Sequence, residues 1–334
     1  MKLEAIKLCF LGPVHLGRGS EELDRSEIVY HSDSLKSAIY AVGLSYFPEW
    51  QNEQFFFNGF FISSCFPYAF NEYFLPKPFI KTNFLFSKIH EDKSAKKGKK
   101  IEFLSRKVFE NFVNTTTGSI EVNEDNITPD GMFICEEKQN AEKSFFRNEI
   151  QQRVLIPFED EDEETRPFFT DRLYFHENCG LYFLADFKEN ELLKSQVLQT
   201  LKLLGECGIG TDRTVGNGLF EFNVSRDLES IAFHFNKERK RQVNMGLYWP
   251  NQDEYNSIDF NNSFWQIVKR GGYIAGTFND EFLSLRKKSV FMFMEGSLFD
   301  ASKELKGTYD DLKPQWDKPL HSIWRDGQCL FFNI

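Results

Sequence analysis

The amino-acid sequence predicts an α+β fold, because strand-like and helical patterns follow one another in the same order in two parts of the chain. In the first part, alternating polar and apolar residues over Leu3–Phe10 precede a glycine-rich loop and a helical pattern that starts at Asp33. In the second part, the apolar run Cys179–Phe187 precedes a helical pattern over Glu189–Leu204, and a strand-like segment over Leu219–Val224 follows. A strand–helix–strand opening is typical of ferredoxin-like units, so we expect two of them.

Length and composition fit a globular protein of two domains. The chain has 334 residues, and 41% of them are hydrophobic, which is enough for a sizeable core. Its 38 phenylalanines predict that aromatic packing dominates this core. No apolar run is long enough to span a bilayer, and the N-terminal segment has the pattern of a strand rather than that of a signal peptide. We therefore expect a soluble protein.

The predicted domain boundary lies near Phe168. Residues 1–167 are expected to form an N-terminal ferredoxin-like domain, and residues 168–334 a C-terminal one that carries a glycine-rich loop at 205–218. From about Lys88 to Arg166 the pattern weakens, since charge blocks alternate with short β-prone stretches such as Met132–Cys135. This segment is predicted to be an insertion in the first domain that carries a hairpin or a projecting loop.

The first helix is predicted by an apolar stripe at helical spacing. Its members are Leu35, Ala38, Ile39 and Val42. Ser32 or Asp33 is expected to cap its N-terminus, and Gly43 is expected to end it. Strand-like runs follow at Phe60–Phe66 and Phe79–Phe86.

The second helix and the later strands are predicted in the same way. The helical face consists of Leu193, Val197, Leu201 and Leu204. Gly205 is expected to stand at the end of this helix. Further strands are predicted at Val243–Tyr248, Ser289–Met294 and Gln328–Ile334.

Cysteine usage and charge narrow the functional classes. The six cysteines are scattered without a CxxC pair, which indicates a reduced, cytoplasmic protein with buried thiols. The net charge of −10 argues against loose, sequence-blind binding to free nucleic acid. A local basic track is not excluded, because the charges are uneven: acids fill 159–164, and five lysines lie between Lys93 and Lys100.

The glycine-rich stretch from Leu204 to Phe220 is the first candidate binding site. It has five glycines in fourteen residues, so its backbone can fold tightly, and successive N–H groups can form a nest for an anion. It matches neither a Rossmann fingerprint nor a Walker motif, and a turn-rich connector is the simpler alternative. The candidate phosphate-binding residues here are Gly208, Gly210, Thr211, Arg213, Thr214 and Gly216.

The loop Gly12–Ser20 and the start of the first helix form the second candidate site. A helix N-terminus supplies free N–H groups and a partial positive charge, so a loop that faces it can complete a phosphate site. Ordinary capping by Ser32 and Asp33 is the structural alternative. The candidate ligand-binding residues of this site are His15, Gly17, Arg18, Gly19, His31, Ser32, Ser34 and Lys36.

These stretches carry a resemblance to a known family. The string HSDSLKSAI after an HLGRG loop, the string GIGTDRTVGNGLFEF and the short motif Leu75–Pro78 resemble the CRISPR RAMP proteins of the type III-A, Csm-type family. Three later segments agree with the C-terminal portion of the subunit-four family of that complex: Lys287–Lys288, Glu295–Phe299 and His321–Gly327. The blocks occur in the expected order and cover most of the chain outside the central insertion.

The resemblance implies a non-catalytic RNA-binding subunit with two RRM-like domains. Members of this family bind the repeat-derived 5′ handle of the crRNA and contact a large polymerase/cyclase-type subunit on one side and a backbone RAMP subunit on the other. The resemblance also implies a thumb-like hairpin, which we expect within the insertion. Two positions depart from the family pattern: Thr211 stands where a glycine is common, and Lys36 replaces an apolar residue, so Lys36 is counted among the residues that face RNA.

A catalytic role is the alternative that the sequence leaves open. Some RAMP proteins process precursor crRNA with a histidine as general base, for which His15 or His31 would serve, and others cut RNA with an acidic residue such as Asp33 and a metal ion. A lone histidine at a helix entry is more often a structural hydrogen-bonding group, and His176 with Cys179 lacks the second pair that a zinc site needs. We expect no enzymatic activity, no metal and no cofactor.

Overall fold

The computed structural model describes residues 3–17, 23–87, 91–115, 118–155, 166–225, 241–274 and 280–334. The strands in this part of the chain are β1 (Glu4–Phe10), β2 (Phe61–Ile62), β3 (Phe66–Ala69), β4 (Glu72–Pro76), β5 (Asn83–Phe86), β6 (Phe103–Ser105), β7 (Ser119–Val122), β8 (Phe133–Ile134), β9 (Phe146–Leu155), β10 (Arg166–Phe175), β11 (Cys179–Asp186), β12 (Phe220–Ser225), β13 (Arg241–Asn244), β14 (Ile258–Phe264), β15 (Ile267–Arg270), β16 (Val290–Phe293), β17 (Leu298–Ala301), β18 (Tyr309–Asp311), β19 (Trp324–Asp326) and β20 (Phe331–Asn333). The helices are α1 (Ser32–Gly43), α2 (Glu53–Phe57), α3 (Glu91–Lys100), α4 (Arg106–Asn114), α5 (Lys138–Ala141), α6 (Glu191–Cys207), α7 (Gln252–Ser257) and α8 (Asp280–Leu283).

One large mixed sheet forms the centre of the molecule. Its strand order is β12-β1-β11-β3-β4-β6-β8, and β2 pairs with β11. The first strand lies between β11 and β12 and pairs with both of them in antiparallel register. The predicted boundary at residues 167 and 168 therefore runs through this sheet, because β1 comes from one side of it and β11 and β12 come from the other.

Helices α1 and α6 pack against each other and share one core with the large sheet. The predicted stripe of α1 is confirmed: Leu35 and Ile39 are fully buried, and the helix ends at Gly43 as expected. The predicted side-chain caps are wrong. The N-cap residue is His31, which makes no capping hydrogen bond, and the amide of Ser32 donates instead to Ser64 Oγ at 2.8 Å.

Helix α6 buries the predicted face but ends later than predicted. Leu193, Val197, Leu201 and Leu204 are all buried. Gly205 lies inside the helix rather than at its end, because α6 passes so close to β12 that a Cβ at this position would lie 2.3 Å from the carbonyl oxygen of Phe220. The residue that ends the helix is Gly208, at φ 77°.

Strands β9 and β10 form a two-stranded hairpin beside the large sheet. Ten residue pairs run without a break from Phe146↔Phe175 to Leu155↔Arg166. The base of the hairpin is held by an aromatic stack between Phe10 and Phe175, whose ring centroids are 5.3 Å apart. Part of the segment predicted as an insertion belongs to the main sheet instead, since β6 and β8 extend that sheet at its edge.

The C-terminal segment adds a four-stranded sheet in the order β14-β17-β13-β20 and the two hairpins β15–β16 and β18–β19. Val243, Leu298 and Phe332 pack into the main core, whereas Tyr248 and Phe299 belong to a second, smaller cluster. The C-terminal segment is thus joined to the large sheet by apolar packing. None of the described helices is long and apolar enough to cross a membrane.

Candidate nucleic-acid interface

The two predicted loops lie side by side. Three backbone hydrogen bonds join them: Leu11 N to Leu219 O at 2.9 Å, Gly218 N to Pro13 O at 2.8 Å, and Thr211 N to His15 O at 3.0 Å. Gly17 is partly exposed at the end of the first loop, and Arg18 and Gly19 lie outside the described residues. The structure therefore brings the glycine-rich loop and the 11–17 segment together into one surface.

Close backbone packing explains two of the glycines in this loop. Gly210 has a φ of +84°, and a Cβ there would lie 2.3 Å from the carbonyl oxygen of His15. Gly218 has a φ of +76°, and its Cβ would lie 1.9 Å from the carbonyl oxygen of Ile209. A side chain at Gly210 would push the two loops apart, and one at Gly218 would disrupt the glycine-rich loop itself. Positive φ values are in addition unfavourable for residues with a Cβ.

The predicted nest of free amides is largely occupied by bonds within the protein. The N–H groups of Ile209, Thr211, Val215, Gly216, Asn217 and Gly218 all donate to backbone carbonyls. The side chains of Thr211, Arg213 and Thr214 are exposed, as is Gly216. Among the side chains that the structure describes, Arg213 forms no ion pair. The side chains of this loop, and not most of its backbone amides, are therefore left accessible to a ligand.

The β9–β10 hairpin is tied to this surface by charge and by hydrogen bonds. Arg153 on β9 forms an ion pair with Asp212 of the glycine-rich loop, with 2.8 Å between Nη1 and Oδ2. On β10, Asp171 accepts hydrogen bonds from the amide of Ser26 at 2.9 Å and from the side chain of Asn148 at 2.6 Å. These contacts hold the hairpin beside both loops along its length.

His15 serves this junction and does not face solvent. Its side chain is fully buried, and Nδ1 lies 2.7 Å from the backbone oxygen of Asp171. The neighbouring residue Val14 forms an antiparallel bridge with Leu173. The prediction that His15 contacts RNA is corrected accordingly: its ring positions the loop under the hairpin.

His31 is buried between two carboxylates. Nδ1 lies 2.8 Å from Glu295 and Nε2 lies 3.2 Å from Glu27. Burial lowers the pKa of His31, but the two carboxylates outweigh it and raise that pKa to about 10. The imidazole is therefore held as a cation and is already neutralised within the protein, which corrects the prediction that it faces RNA.

The C-terminal segment also contacts the side chains of Ser32, Asp33 and Ser34. Ser32 Oγ accepts a hydrogen bond from the amide of Leu247 at 3.0 Å. The guanidinium of Arg270 binds both carboxylate oxygens of Asp33, at 2.9 and 3.0 Å, and donates to Ser34 Oγ at 2.9 Å. Burial raises the pKa of Asp33, yet Arg270 and a second arginine, at position 325, hold it well below its usual range. The hydroxyls and the carboxylate thus dock the C-terminal segment.

The prediction for Lys36 is wrong, because its side chain lies in the core. It is fully buried, and Nζ lies 2.7 Å from Asp326 and 3.0 Å from the carbonyl oxygens of Phe57 and Phe60. Burial lowers the pKa of Lys36 and raises that of Asp326, while their attraction opposes both changes. The departure from the apolar pattern at this position is explained by a buried ion pair.

The partners of the α1 residues were not apparent from the sequence. These are Arg270, Glu295, Arg325 and Asp326. Three of the four stand in the C-terminal segments on which the family resemblance was based. The resemblance was therefore the sequence signal that could have pointed to these partners. Among the described residues no group of three or more His, Cys, Asp or Glu side chains is placed to hold a metal ion.

Comparison with known proteins gives consistent matches. Residues 237–334 match the family model of the CRISPR Csm4 C-terminal domain. The chain is 24% identical over 351 residues to the CRISPR system Cms protein Csm4 of Methanocaldococcus jannaschii, covering 95% of this chain and 90% of that protein. It is 25% identical over 256 residues to the protein of the same name from Thermococcus onnurineus, covering 73% of this chain and 71% of that one.

Solved structures of complexes that contain Csm4 have a similar fold. A Csm3–Csm4 subcomplex of the type III-A CRISPR-Cas interference complex matches with a TM-score of 0.66 and 18% identity, over 100% of this chain and 99% of the other. A Csm1–Csm4 cassette in complex with pppApA matches with a TM-score of 0.60 and 17% identity, over 99% and 97%. The chain is therefore similar to Csm4 proteins over nearly its whole length, shares their fold, and matches the model of the Csm4 C-terminal domain at residues 237–334.

Proposed function

We propose that the chain is a crRNA-binding subunit of a Csm effector complex, and that it holds the 5′ handle on the surface formed by the glycine-rich loop and the β9–β10 hairpin. The observation that carries this proposal is the exposed Arg213, which has no ion-pair partner among the described side chains. A guanidinium on a loop fixed by backbone hydrogen bonds is suited to bidentate binding of a phosphate. The hydroxyls of Thr211 and Thr214 flank it.

The hairpin supports the same function. Its register places Ile150, Val154 and Phe169 on one face, and these side chains are 63%, 52% and 51% exposed. Exposed aromatic and aliphatic side chains next to a cationic loop suit unpaired bases, because bases can stack on them regardless of sequence. We assign this hairpin as the projecting thumb, and the units built on β1–α1 and β11–α6–β12 as ferredoxin-like.

The partners follow from the solved relatives, in which Csm4 is found with Csm3 and with Csm1. We propose that this chain likewise contacts a backbone RAMP subunit and a large polymerase/cyclase-type subunit, in the cytoplasm. A group of exposed apolar side chains in the C-terminal segment suits a protein interface: Tyr255, Trp265, Ile267 and Phe291.

We further propose that the subunit positions RNA without cleaving it. A general base must reach the proton that it removes, and His15 is buried beneath the hairpin. His31 is held as a cation between Glu27 and Glu295, so it has no free lone pair to accept a proton. The rival function is processing of precursor crRNA with His15 or His31 as general base. It requires His15 to leave the backbone oxygen of Asp171, or His31 to leave its two carboxylates.

The test is purification of the effector complex with Arg213→Ala, and the readout is the amount of handle-bearing crRNA that it retains. Loss of one charge-assisted phosphate contact is expected to weaken binding roughly tenfold or more. Arg106→Ala is the matched control, because this guanidinium is already paired with Glu110 on the same helix. Equal crRNA retention in the two variants would contradict the proposal.

A ribonuclease assay on repeat RNA separates binding from cleavage. The isolated subunit is expected to leave this RNA intact. Cleavage that disappears in His15→Ala or in His31→Gln would establish the processing endonuclease instead.

A further inference from the structure

A group of lysines on α3 has no part in the surface described above. The helix has the sequence EDKSAKKGKK over Glu91–Lys100, and its two acids lie in the first turn. Lys96, Lys99 and Lys100 are exposed, and Lys97 is partly buried. Within the part of the chain that the structure describes, none of these four lysines forms an ion pair. The three exposed ones are called the α3 lysine cluster below.

Contacts between α3 and its neighbours hold the cluster in place. A Cβ at Gly98 would lie 3.2 Å from Cδ2 of Phe84, so the helix lies directly against β5. Lys77 Nζ donates a hydrogen bond to the carbonyl oxygen of Gly98 at 2.9 Å. Lys97 Nζ lies 5.5 Å from the ring centroid of Phe86, which is within the range of a cation–π contact. The exposed lysines therefore project from a helix that is fixed to the rest of the protein.

The spacing of the cluster places like charges side by side. Lys99 and Lys100 lie three and four positions after Lys96, so both are its neighbours on the helix surface, and like charges at this spacing destabilise a helix. The two acids of α3 lie at least seven positions before Lys99, too far along the helix to pair with it. Lysines in the last turn interact favourably with the helix dipole, but that interaction does not require three of them in a row. Repulsion among the three ammonium groups thus remains in the free protein, and a bound polyanion would relieve it.

Acidic residues of the neighbouring segments do not neutralise the cluster. Glu124 accepts a hydrogen bond from the hydroxyl of Ser87 at 2.9 Å. Asp130 accepts hydrogen bonds from a hydroxyl and a backbone amide of its own turn, at 2.6 and 2.9 Å. Glu102 and Glu121 are exposed, and neither forms an ion pair with the three lysines of the cluster. The cluster is therefore accessible to an anionic ligand.

The cluster lies far from the glycine-rich loop. Helix α3 leads into β6, and the glycine-rich loop leads into β12 at one edge of the large sheet. β12 and β6 are five positions apart in this sheet, which at about 4.8 Å per strand is roughly 24 Å. A ligand of the cluster is therefore distinct from the phosphate that is assigned to Arg213.

We propose that the α3 lysine cluster is a second RNA-binding surface, which binds backbone phosphates of a single-stranded RNA without reading its sequence. Three ammonium groups in a row match a repeating polyanion better than one isolated anion. Lysine is a point charge on a flexible stem, which suits contacts to phosphates rather than to bases. The inference rests on the proposed function for the choice of RNA as the ligand, and it adds a contact outside the glycine-rich loop and the hairpin.

The test is the salt dependence of RNA binding by the full-length chain, with a fluorescently labelled oligouridine as the probe. Lys96→Gln/Lys99→Gln/Lys100→Gln should reduce the slope of log affinity against log salt by about 2, because each lost phosphate contact reduces it by about 0.7. Lys96→Arg/Lys99→Arg/Lys100→Arg keeps the three charges and should keep the slope. A slope that is unchanged in the glutamine variant would overturn the proposal.

The matched control removes three exposed lysines of the C-terminal segment: Lys269→Gln/Lys288→Gln/Lys303→Gln. It changes the net charge of the chain by the same amount but leaves the α3 lysine cluster intact, so its slope should stay close to that of the wild type. Equal reductions in the two glutamine variants would also overturn the proposal, because net charge alone would then explain them. Urea unfolding checks that both variants are folded, which is expected because glutamine is a good helix former and all six positions are exposed.

Acetylation of lysine side chains locates the contact directly. RNA should slow the reaction of the cluster with N-hydroxysuccinimide acetate and leave the three control lysines unaffected, as read by mass spectrometry. Equal reaction rates with and without RNA would contradict the proposal. Protection of the cluster by protein partners, in a complex assembled without RNA, would assign it to an acidic protein surface instead.

The two proposals fail in distinguishable ways. If Arg213→Ala loses handle-bearing crRNA while the α3 glutamine variant behaves like its control, the second surface is excluded and the proposed function stands. If the α3 glutamine variant reduces the slope and Arg213→Ala retains its crRNA, the handle is not held by the glycine-rich loop and the α3 surface remains.

Discussion

The start of α1 and the glycine-rich loop were both assigned to RNA by sequence, and the structure gives them different surroundings. In the loop, Thr211, Arg213 and Thr214 are exposed, and no described carboxylate pairs with the arginine. At the start of α1, His31 and Lys36 are buried, and acidic side chains of the C-terminal segment neutralise both of them. The same residue types are therefore left accessible to a ligand in one region and bind a second part of the chain in the other.

This difference shows what separates a candidate ligand site from an internal contact: whether another part of the chain supplies the counter-charge for its charged side chains. Asp33 meets Arg270 from 237 positions away and Arg325 from 292 positions away. His31 meets Glu295 from 264 positions away. A motif analysis over a short window does not see such partners, so it cannot separate a phosphate site from an internal ionic contact.

The largest expected effect is that of Asp33→Asn. This substitution keeps the shape of the side chain but removes the one carboxylate that the buried guanidinium groups of Arg270 and Arg325 both bind. Breaking a buried ion pair from one side typically costs about 3–5 kcal/mol, and the free energy of unfolding in urea should fall by that amount. Asp317→Asn, at an exposed position, is the control and should change it by less than about 0.5 kcal/mol. Equal effects would mean that the cluster does not stabilise the fold.

A somewhat smaller effect is expected for Lys36→Met. The buried carboxylate of Asp326 loses its partner, but it can become protonated, so we expect a loss of about 3 kcal/mol. The double variant Lys36→Met/Asp326→Leu should recover most of this loss, because two apolar groups can replace a buried pair. Urea unfolding of the single and double variants measures the coupling. RNA affinity that falls in the refolded double variant would show that Lys36 faces RNA after all.

The smallest expected effect concerns His31 and depends on pH. Its pKa in the folded protein, about 10, is above the value of about 6.5 for an unfolded chain. A raised pKa of this kind stabilises the fold fully below pH 6.5, and the contribution disappears as the pH rises through 10. The difference in unfolding free energy between wild type and His31→Gln should be about 2 kcal/mol at pH 6 and should shrink steadily towards pH 10. A difference that does not vary with pH would show that His31 is neutral.

Amphipathic helices were the part of the fold that sequence could predict. The stripe of α1 and the face of α6 are buried as expected, since 3.6-residue periodicity reports burial directly. The strands of the hairpin were not located, because one face of β9 is polar throughout and polar residues interrupt the apolar ones on its other face. Such a strand is recognised only from its pairing with a partner strand, which here begins at Arg166.

The candidate site was predictable only in part. The choice of Arg213 and its flanking threonines rested on local composition, and their exposure agrees with it. The caps assigned to Ser32 and Asp33 failed, because these side chains bind Leu247 and Arg270 instead of their own helix. Local rules for capping hold only where no distant group competes for the same side chain.

RNA is proposed to bind through the exposed side chains of the glycine-rich loop, and not through His31 or Lys36 of the α1 region. The most direct test compares the salt dependence of crRNA binding by Arg213→Ala with that of Lys36→Met/Asp326→Leu. The account predicts a slope reduced by about 0.7 for Arg213→Ala and an unchanged slope for the double variant. A reduced slope for the double variant and an unchanged slope for Arg213→Ala would contradict it.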